Sequence, residues 1–317
     1  MTNNKPEMAI AYDFDGTLAD GNMQEAQFLP NIGMKPKDFW EEVNQLAKEN
    51  QGDNVLIYMS RMLRKAEAAE VPVRLEDFKK LGETVKLFKG VESWFQRINV
   101  YGKSKGVEVK HYLLSSGNYE IIAGTAIAKE FTEIYASKFL FDANGVAFSP
   151  ALAVNYTTKT QYLFRINKGA FDLSDDVKVN QYVNKADRPV PFENMVYIGD
   201  GTTDVPCFRL VKDQGGLSIA VYKANKNGAH ETASKYIADG RVQCVLPANY
   251  SEGSKLEEVI KANIDVVAAR SALKNRLEKT NKGMETVNEK LEKALNEIER
   301  LKQELEKTKT TLPKTAE

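Results

Sequence analysis

The feature that most limits the fold is a series of short apolar segments with helix-like stretches between them. Each segment is too short and too evenly apolar for an exposed sheet, and resembles a strand buried on both faces of a parallel sheet. Strands that alternate with helices predict a doubly wound, Rossmann-like α/β fold with its working residues at the carboxyl ends of the strands. An Asn144-Gly145 turn also predicts a hairpin over residues 141–148. The apolar segments are 9–14, 111–115, 194–198, 217–222 and 242–246.

An unusually long connection, residues 21–87, separates the first two predicted strands. A structureless loop of that length is uncommon inside a compact domain, and this one has helical patterns. We therefore expect a small helical cap domain inserted into the sheet. Its second helix carries Arg61, Arg64 and Lys65, which either face a phosphorylated substrate or form a solvated surface.

The C-terminal region has the most regular apolar pattern of the chain. Spacings of four and three alternate over more than four heptads, which predicts a coiled-coil helix and a homo-oligomer formed through residues 273–305. A solvated single helix held by pairs such as Glu289–Lys293 is the alternative. The pattern leaves open whether the helix pairs with a second chain or folds back on its own body. Its positions are Leu273, Leu277, Thr280, Met284, Val287, Leu291, Ala294, Ile298, Leu301 and Leu305.

Charge is distributed unevenly along the chain. The 44 basic and 44 acidic residues give a net charge of zero, yet residues 270–317 hold 12 basic and 9 acidic residues and no aromatic one. This shift separates a slightly acidic body from a polar extension. We expect an α/β core over residues 1–20 and 88–253, a cap over 21–87, and a helical extension over 254–317.

The composition also excludes several classes of protein. A net charge of zero argues against a nucleic-acid binder, which usually has a basic surplus. Two cysteines and two histidines are too few for a disulfide framework or a Cys- and His-rich metal site. Because we find neither an export signal nor an apolar run of about 18 residues, we expect no membrane segment and a cytoplasmic location.

Two carboxylates directly follow the first predicted strand. In Asp13-Phe14-Asp15-Gly16-Thr17 alternate residues share a face, so Asp13 and Asp15 can point the same way, and Gly16 frees the backbone after them. Carboxylates this close repel each other unless a cation or a proton lies between them. An ordinary strand-ending turn is the alternative, because Asp and Gly are common in turns.

Small residues end the second predicted strand, where the sequence reads Ser115-Ser116-Gly117. A serine hydroxyl and the backbone N–H groups after it can bind an anion. A plain strand-to-helix turn is again the alternative.

A lysine and two more carboxylates complete the set. Asp200 and Asp204 lie four residues apart after a later strand, and Lys159 opens a helix-like run before them. Lys168 and Lys178 are rivals for the same role, but a lysine at a helix start near a strand end is better placed to reach the site.

In this order, these residues resemble the four motifs of the haloacid dehalogenase-like hydrolases. The resemblance covers roughly residues 8–250, with the cap between the first two motifs. It implies a Mg²⁺-dependent phosphatase acting on a small phosphate monoester. The matching positions are Asp13-x-Asp15, Ser115, Lys159 and Gly199-Asp200-Gly201-x-x-Asp204.

The resemblance implies a role for each residue. Asp13 is the nucleophile that becomes an aspartyl-phosphate, and Asp15 is the general acid and then the base. Asp204 either supports the metal or orients Lys159, which is the third catalytic residue. The phosphoryl group would contact Thr17, Ser115, Ser116, Gly117 and Lys159. The Mg²⁺ would be held by Asp13, Asp200, Asp204 and the main-chain carbonyl of Asp15.

The reaction class depends on Asp15. Family dehalogenases lack an acid at this position because halide leaves without a proton, so Asp15 favours phosphate esters. A phosphomutase, which uses the same aspartyl-phosphate, and a catalytically silent scaffold assembling through its coiled coil are the alternatives. The chain is most similar to the phosphoserine phosphatase branch, but Ser116 replaces its usual Gly and Thr203 its usual Asn. The substrate therefore stays open.

Overall fold

A seven-stranded sheet forms the centre of the fold. This computed structural model describes residues 5–311, with side chains at all of them except 186, 283, 285 and 304–311. The strands within that range are β1 (Glu7–Tyr12), β2 (Glu108–Asn118), β3 (Glu133–Phe141), β4 (Ala147–Leu152), β5 (Met195–Gly199), β6 (Leu217–Tyr222) and β7 (Cys244–Pro247). They lie in the order β4-β3-β2-β1-β5-β6-β7, and all neighbours are parallel except β3 and β4. The predicted doubly wound parallel sheet is thereby confirmed.

The central strand, β1, positions the residues that follow it. Its residues from Met8 to Tyr12 are at most 1% exposed, as expected for a strand buried on both faces. Tyr12 lies opposite Leu113 of β2 and Ile198 of β5. The carboxyl ends of three neighbouring strands therefore meet at one edge of the sheet.

The helices connect the strands. They are α1 (Met23–Ala26), α2 (Phe28–Asn31), α3 (Pro36–Asn50), α4 (Asn54–Ala68), α5 (Leu75–Glu83), α6 (Val91–Ser104), α7 (Tyr119–Ala123), α8 (Lys159–Lys168), α9 (Asp176–Asn180), α10 (Val205–Asp213), α11 (Ala229–Ala238) and α12 (Lys255–Thr311). Among the residues described, no helix combines the length and apolar character that a membrane span requires.

Residues 21–87, the predicted insertion between β1 and β2, are mostly helical, as expected, and contain α1 to α5. Its last helix packs against the core: the ring of Phe78 stacks on Phe139 of β3 with centroids 5.3 Å apart. A Cβ at Gly124, after α7, would overlap the carbonyl of Lys79. Only glycine there allows α5 and α7 to approach this closely, which seats the insertion beside the sheet.

The chain divides into two compact units, of which the first ends at Val267. The first turns of α12 belong to that unit, with Leu256, Ile260 and Ile264 buried. The rest of α12 belongs to the second unit. The predicted long C-terminal helix is confirmed. Leu305 lies outside the described side chains. The large apolar residues of the predicted stripe are 50–63% exposed: Leu273, Leu277, Met284, Val287, Leu291, Ile298 and Leu301.

Two strands differ from the expectation. β2 runs over Glu108–Asn118, longer than the predicted 111–115. The predicted hairpin exists, since β3 and β4 pair antiparallel around the Asn144-Gly145 turn, but the length of β3 was not anticipated. Ser137 and Lys138 interrupt its apolar pattern. Ser137 is nevertheless buried, because its hydroxyl donates to Ser116 O and accepts the N–H of Val154.

Candidate active site

The turn after β1 brings two carboxylates to the edge of the sheet. The N–H of Asp13 still donates to Ile198 O of β5, at 2.9 Å, so Asp13 is held as an extension of the strand. The backbone then turns at Gly16, which has a φ of +75°, and a Cβ there would overlap the carboxylate of Asp200. Glycine is therefore required for the turn to lie against Asp200.

Lys159, the first residue of α8, forms the central ion pairs. It is completely buried, and its Nζ lies 2.8 Å from Asp13 Oδ1 and 2.8 Å from Asp204 Oδ1. Burial opposes its charge, but the two carboxylates outweigh burial and raise the pKa of Lys159. Lys168, its predicted rival, instead donates to the carbonyls of Val179 and Gln181.

Asp204 holds Lys159 in place. Its Oδ1 also accepts from the hydroxyl of Tyr197 at 2.7 Å, and its Oδ2 accepts the N–H groups of Asp200 and Gly201 at 3.1 Å each. Both oxygens are thus engaged by donors of the protein. Of the two predicted roles for Asp204, this geometry favours orienting Lys159.

Asp15 is in a different environment. Its Oδ1 accepts the N–H of Met23, at 2.9 Å. Burial and then the charge of Asp13 raise the pKa of Asp15 well above its usual value. A raised pKa favours the protonated carboxyl group, which is the form that can donate a proton.

The end of β2 contributes the two serines. Ser115 is buried, and its Oγ accepts the N–H of Gly117 at 3.0 Å. The carbonyl of Ser116 accepts the hydroxyls of Tyr58 at 2.6 Å and Ser137 at 3.1 Å. The β2–β3 register shifts between Ser115 and Asn118, so the strand ending is irregular where these residues line the cleft described below.

We call Asp13, Asp15, Asp200 and Asp204 the aspartate cluster. Carboxylate oxygens of three of them, Asp13, Asp200 and Asp204, lie within 4.8 Å of one another. Burial and then the charge of Asp13 raise the pKa of Asp200 well above its usual value, and burial and then Asp204 raise that of Asp13 to about 6. Lys159 alone does not balance this negative charge, so the donor set fits an oxygen-preferring cation such as Mg²⁺.

A cleft of about 550 Å³ opens above these residues. It is lined by most of the residues predicted for the site: Asp13, Asp15, Ser115, Ser116, Gly117, Lys159 and Asp200. Thr17, predicted to contact the phosphate, is instead fully buried outside the cleft lining, and its Oγ1 lies 3.5 Å from Asp200 Oδ1. The Asp15 carboxylate is not part of the three-oxygen group, so any contact to a metal falls to its main-chain carbonyl.

Three residues at the site escaped the sequence analysis. Tyr197 lies two residues before the Gly199–Asp204 motif, and its position was the available signal. Tyr58 and Trp40, from α4 and α3, also line the cleft, but nothing in their local sequence indicates that they reach it.

Two comparisons of sequence find related proteins. The model of the haloacid dehalogenase-like hydrolase family matches residues 10–209. An uncharacterized protein of Borreliella burgdorferi is 30% identical over 291 residues, which cover 83% of this chain and 99% of that protein.

Solved structures share the fold. A probable phosphoserine phosphatase from Vibrio cholerae, in unliganded form, matches with a TM-score of 0.51 at 14% identity, covering 84% of this chain and 67% of that one. A substrate-bound phosphoserine phosphatase matches with a TM-score of 0.50 at 17% identity, covering 82% and 99%. The predicted similarity to that branch is confirmed at the level of the fold.

Proposed function

The chain belongs to the haloacid dehalogenase-like hydrolases, and we propose that it is a Mg²⁺-dependent phosphatase that hydrolyses a small phosphate monoester. One observation carries this proposal. A fully buried lysine, Lys159, bridges Asp13 and Asp204 at 2.8 Å each on the floor of a cleft that Asp15 also lines. Such a cation next to a nucleophile suits an anionic substrate.

In the proposed first step, Asp13 attacks the phosphorus with Oδ2, the oxygen that Lys159 does not bind. The bond from phosphorus to the leaving oxygen breaks, and Asp15 donates its proton to that oxygen. The products of this step are the free alcohol and an aspartyl-phosphate on Asp13. The raised pKa of Asp15 supports its role as the acid.

In the proposed second step, the ionised Asp15 takes a proton from a water molecule, whose oxygen attacks the phosphorus. The bond to Asp13 breaks, inorganic phosphate forms, and Asp15 is protonated again. Covalent catalysis thus divides the reaction into two easier steps that one carboxyl group serves as acid and base. Ser115 and Ser116, which line the cleft near the end of β2, would bind the phosphoryl oxygens.

The metal would be held by Asp13, Asp200 and the main-chain carbonyl of Asp15. When bound, Mg²⁺ neutralises charge so that a carboxylate can approach an anionic phosphate. Asp204 would orient Lys159 rather than bind the metal, because both of its oxygens already accept hydrogen bonds from the protein.

The test is hydrolysis of p-nitrophenyl phosphate by the full chain with Mg²⁺. We expect phosphate release that EDTA and Asp13→Asn abolish, and a loss of about 10²–10⁴-fold in Asp15→Asn. Asp213→Asn is the matched control, because Asp213 is half exposed and pairs only with Arg209 among the described residues. A folded, metal-loaded protein inert toward this ester and a broad phosphoester panel would favour a silent scaffold.

We also propose that α12 self-associates. The support is the exposed apolar stripe on the part of α12 that belongs to the second unit. Its residues repeat at heptad spacing along one helix. Burying such a stripe against a second copy removes apolar surface from water.

A further inference from the structure

An aromatic wall lines the cleft beyond the aspartate cluster. Trp40 of α3 and Tyr58 of α4 form it, with ring centroids 5.8 Å apart at an interplanar angle of 69°. The indole Nε1 of Trp40 donates to Glu25 Oε1 at 2.7 Å, and the hydroxyl of Tyr58 is held by Ser116 O. These contacts fix both rings where the leaving group of a bound phosphate ester would lie.

This part of the cleft carries almost no positive charge. Among the described residues that line it, Lys159 is the only basic one, and both of its ion pairs are with the aspartate cluster. Outside that cluster, Asp53 is the only acidic residue among the described ones that line the cleft. Its Oδ1 accepts the N–H groups of Val55 and Leu56, and its Oδ2 accepts from the Asn155 amide.

The basic residues of α4, which is the predicted second helix of the cap, do not supply a positive charge to the cleft. Arg61 and Lys65 both pair with Glu42, and Arg64 lines a separate cavity of about 910 Å³. The sequence left open whether these residues face a phosphorylated substrate or form a solvated surface. None of them lines this cleft, so the structure gives no support to contact with a substrate there.

Neutral hydrogen-bonding groups line this part of the cleft instead of basic side chains. The side chains of Asn44 and Asn54 line the cleft, are exposed, and have no hydrogen-bond partner in the part of the chain described. An amide both donates and accepts, so it pairs with a hydroxyl group in either direction. We infer that the leaving group of the substrate carries no negative charge and is rich in hydroxyl groups, as in a sugar or polyol phosphate.

The inference rests on the proposed phosphatase function and narrows it. A carboxylate or second phosphate on the leaving group would meet no unpaired cationic side chain among the described residues that line this cleft, and it would lie in the same cleft as Asp53. Uncompensated buried charge and like-charge contacts are both unfavourable. Hydroxyl groups meet neither penalty.

The experiment compares esters that differ in charge but not in size. Glucose 6-phosphate is paired with 6-phosphogluconate, and glycerol 3-phosphate with 3-phosphoglycerate. We expect kcat/KM for each neutral ester to exceed that of its carboxylate counterpart by at least about tenfold. A charged ester that is hydrolysed as well as its neutral counterpart would overturn the inference, as would turnover of p-nitrophenyl phosphate with none of these esters.

Inactivity toward p-nitrophenyl phosphate itself would instead overturn the phosphatase proposal, so the two failures are distinguishable. Asn44→Lys provides a second test, since it places a cation in the cleft. We expect it to lower the preference for glucose 6-phosphate over 6-phosphogluconate by at least about fivefold, whereas Gln45→Lys, the next residue of α3 and not part of the cleft lining, leaves that ratio unchanged. Equal ratios in both variants would count against the inference.

Discussion

Replacing Lys159 by methionine tests the electrostatic arrangement of the site. Methionine has a similar length and no charge, so Lys159→Met removes both 2.8 Å ion pairs with little change in packing. Breaking a buried pair by removing one partner costs about 3–5 kcal/mol, because the other charge is left uncompensated. Here two carboxylates, those of Asp13 and Asp204, lose their shared cation.

The expected change in melting temperature follows from this free-energy cost and from the size of the first compact unit. The first compact unit ends at residue 267, and at that size 1 kcal/mol corresponds to about 2 °C in Tm. We therefore expect Lys159→Met to lower Tm by about 6–10 °C in EDTA at pH 8. At pH 5.5 the loss should be smaller, because protonation of the carboxylates relieves their repulsion.

Lys168→Met is the matched control, measured by the same thermal unfolding assay. Lys168 lies in the same helix, α8, and its Nζ donates to two carbonyls. A Tm of Lys159→Met no lower than that of Lys168→Met would refute the reasoning.

Three further outcomes follow from the same geometry. Tyr197→Phe removes the hydroxyl that donates to buried Asp204 and should cost about 1–3 kcal/mol in denaturant unfolding, whereas Tyr135→Phe, whose hydroxyl has no partner among the described residues, should change little; equal losses would contradict this. Because the folded-state pKa of Asp13 is raised to about 6, the folded metal-free protein binds the extra proton. Its unfolding free energy, relative to Asp13→Asn, should therefore fall as pH rises from about 4 to about 6, and a rise would be inconsistent with the burial of Asp13. Deleting residues 270–317 should convert a self-associated chain to a monomer in light scattering, and a monomeric full chain would disprove self-association.

The edge of the sheet that carries the site was predictable from sequence. Parallel strands place their carboxyl ends side by side, so Asp13, Ser115 and Asp200 had to converge once the strands were recognised. The periodic C-terminal pattern likewise predicted a long helix. These features depend on local pattern and on the geometry of a parallel sheet.

Other features depend on tertiary packing. Which lysine reaches Asp13 depends on where α8 lies on the sheet: Lys159 pairs with Asp13, whereas Lys168 donates to two backbone carbonyls. Trp40 and Tyr58 reach the cleft only because α3 and α4 pack over it, which no spacing within the cap encodes. The Thr17 hydroxyl lies 3.5 Å from Asp200 Oδ1 after the turn at Gly16, and its contact with a phosphate stays a prediction.

The most direct test of the central claim is to trap the phosphoryl group on Asp13. In Asp15→Asn, p-nitrophenyl phosphate should still react, since p-nitrophenolate leaves without a proton, but the intermediate has lost its base for hydrolysis. We expect a burst of one p-nitrophenolate per chain, and mass spectrometry of the acid-quenched protein should find one phosphoryl group on the peptide that contains Asp13. Asp13→Asn should show neither signal. A phosphoryl group on another residue, or hydrolysis with no modified peptide, would contradict Asp13 as the nucleophile.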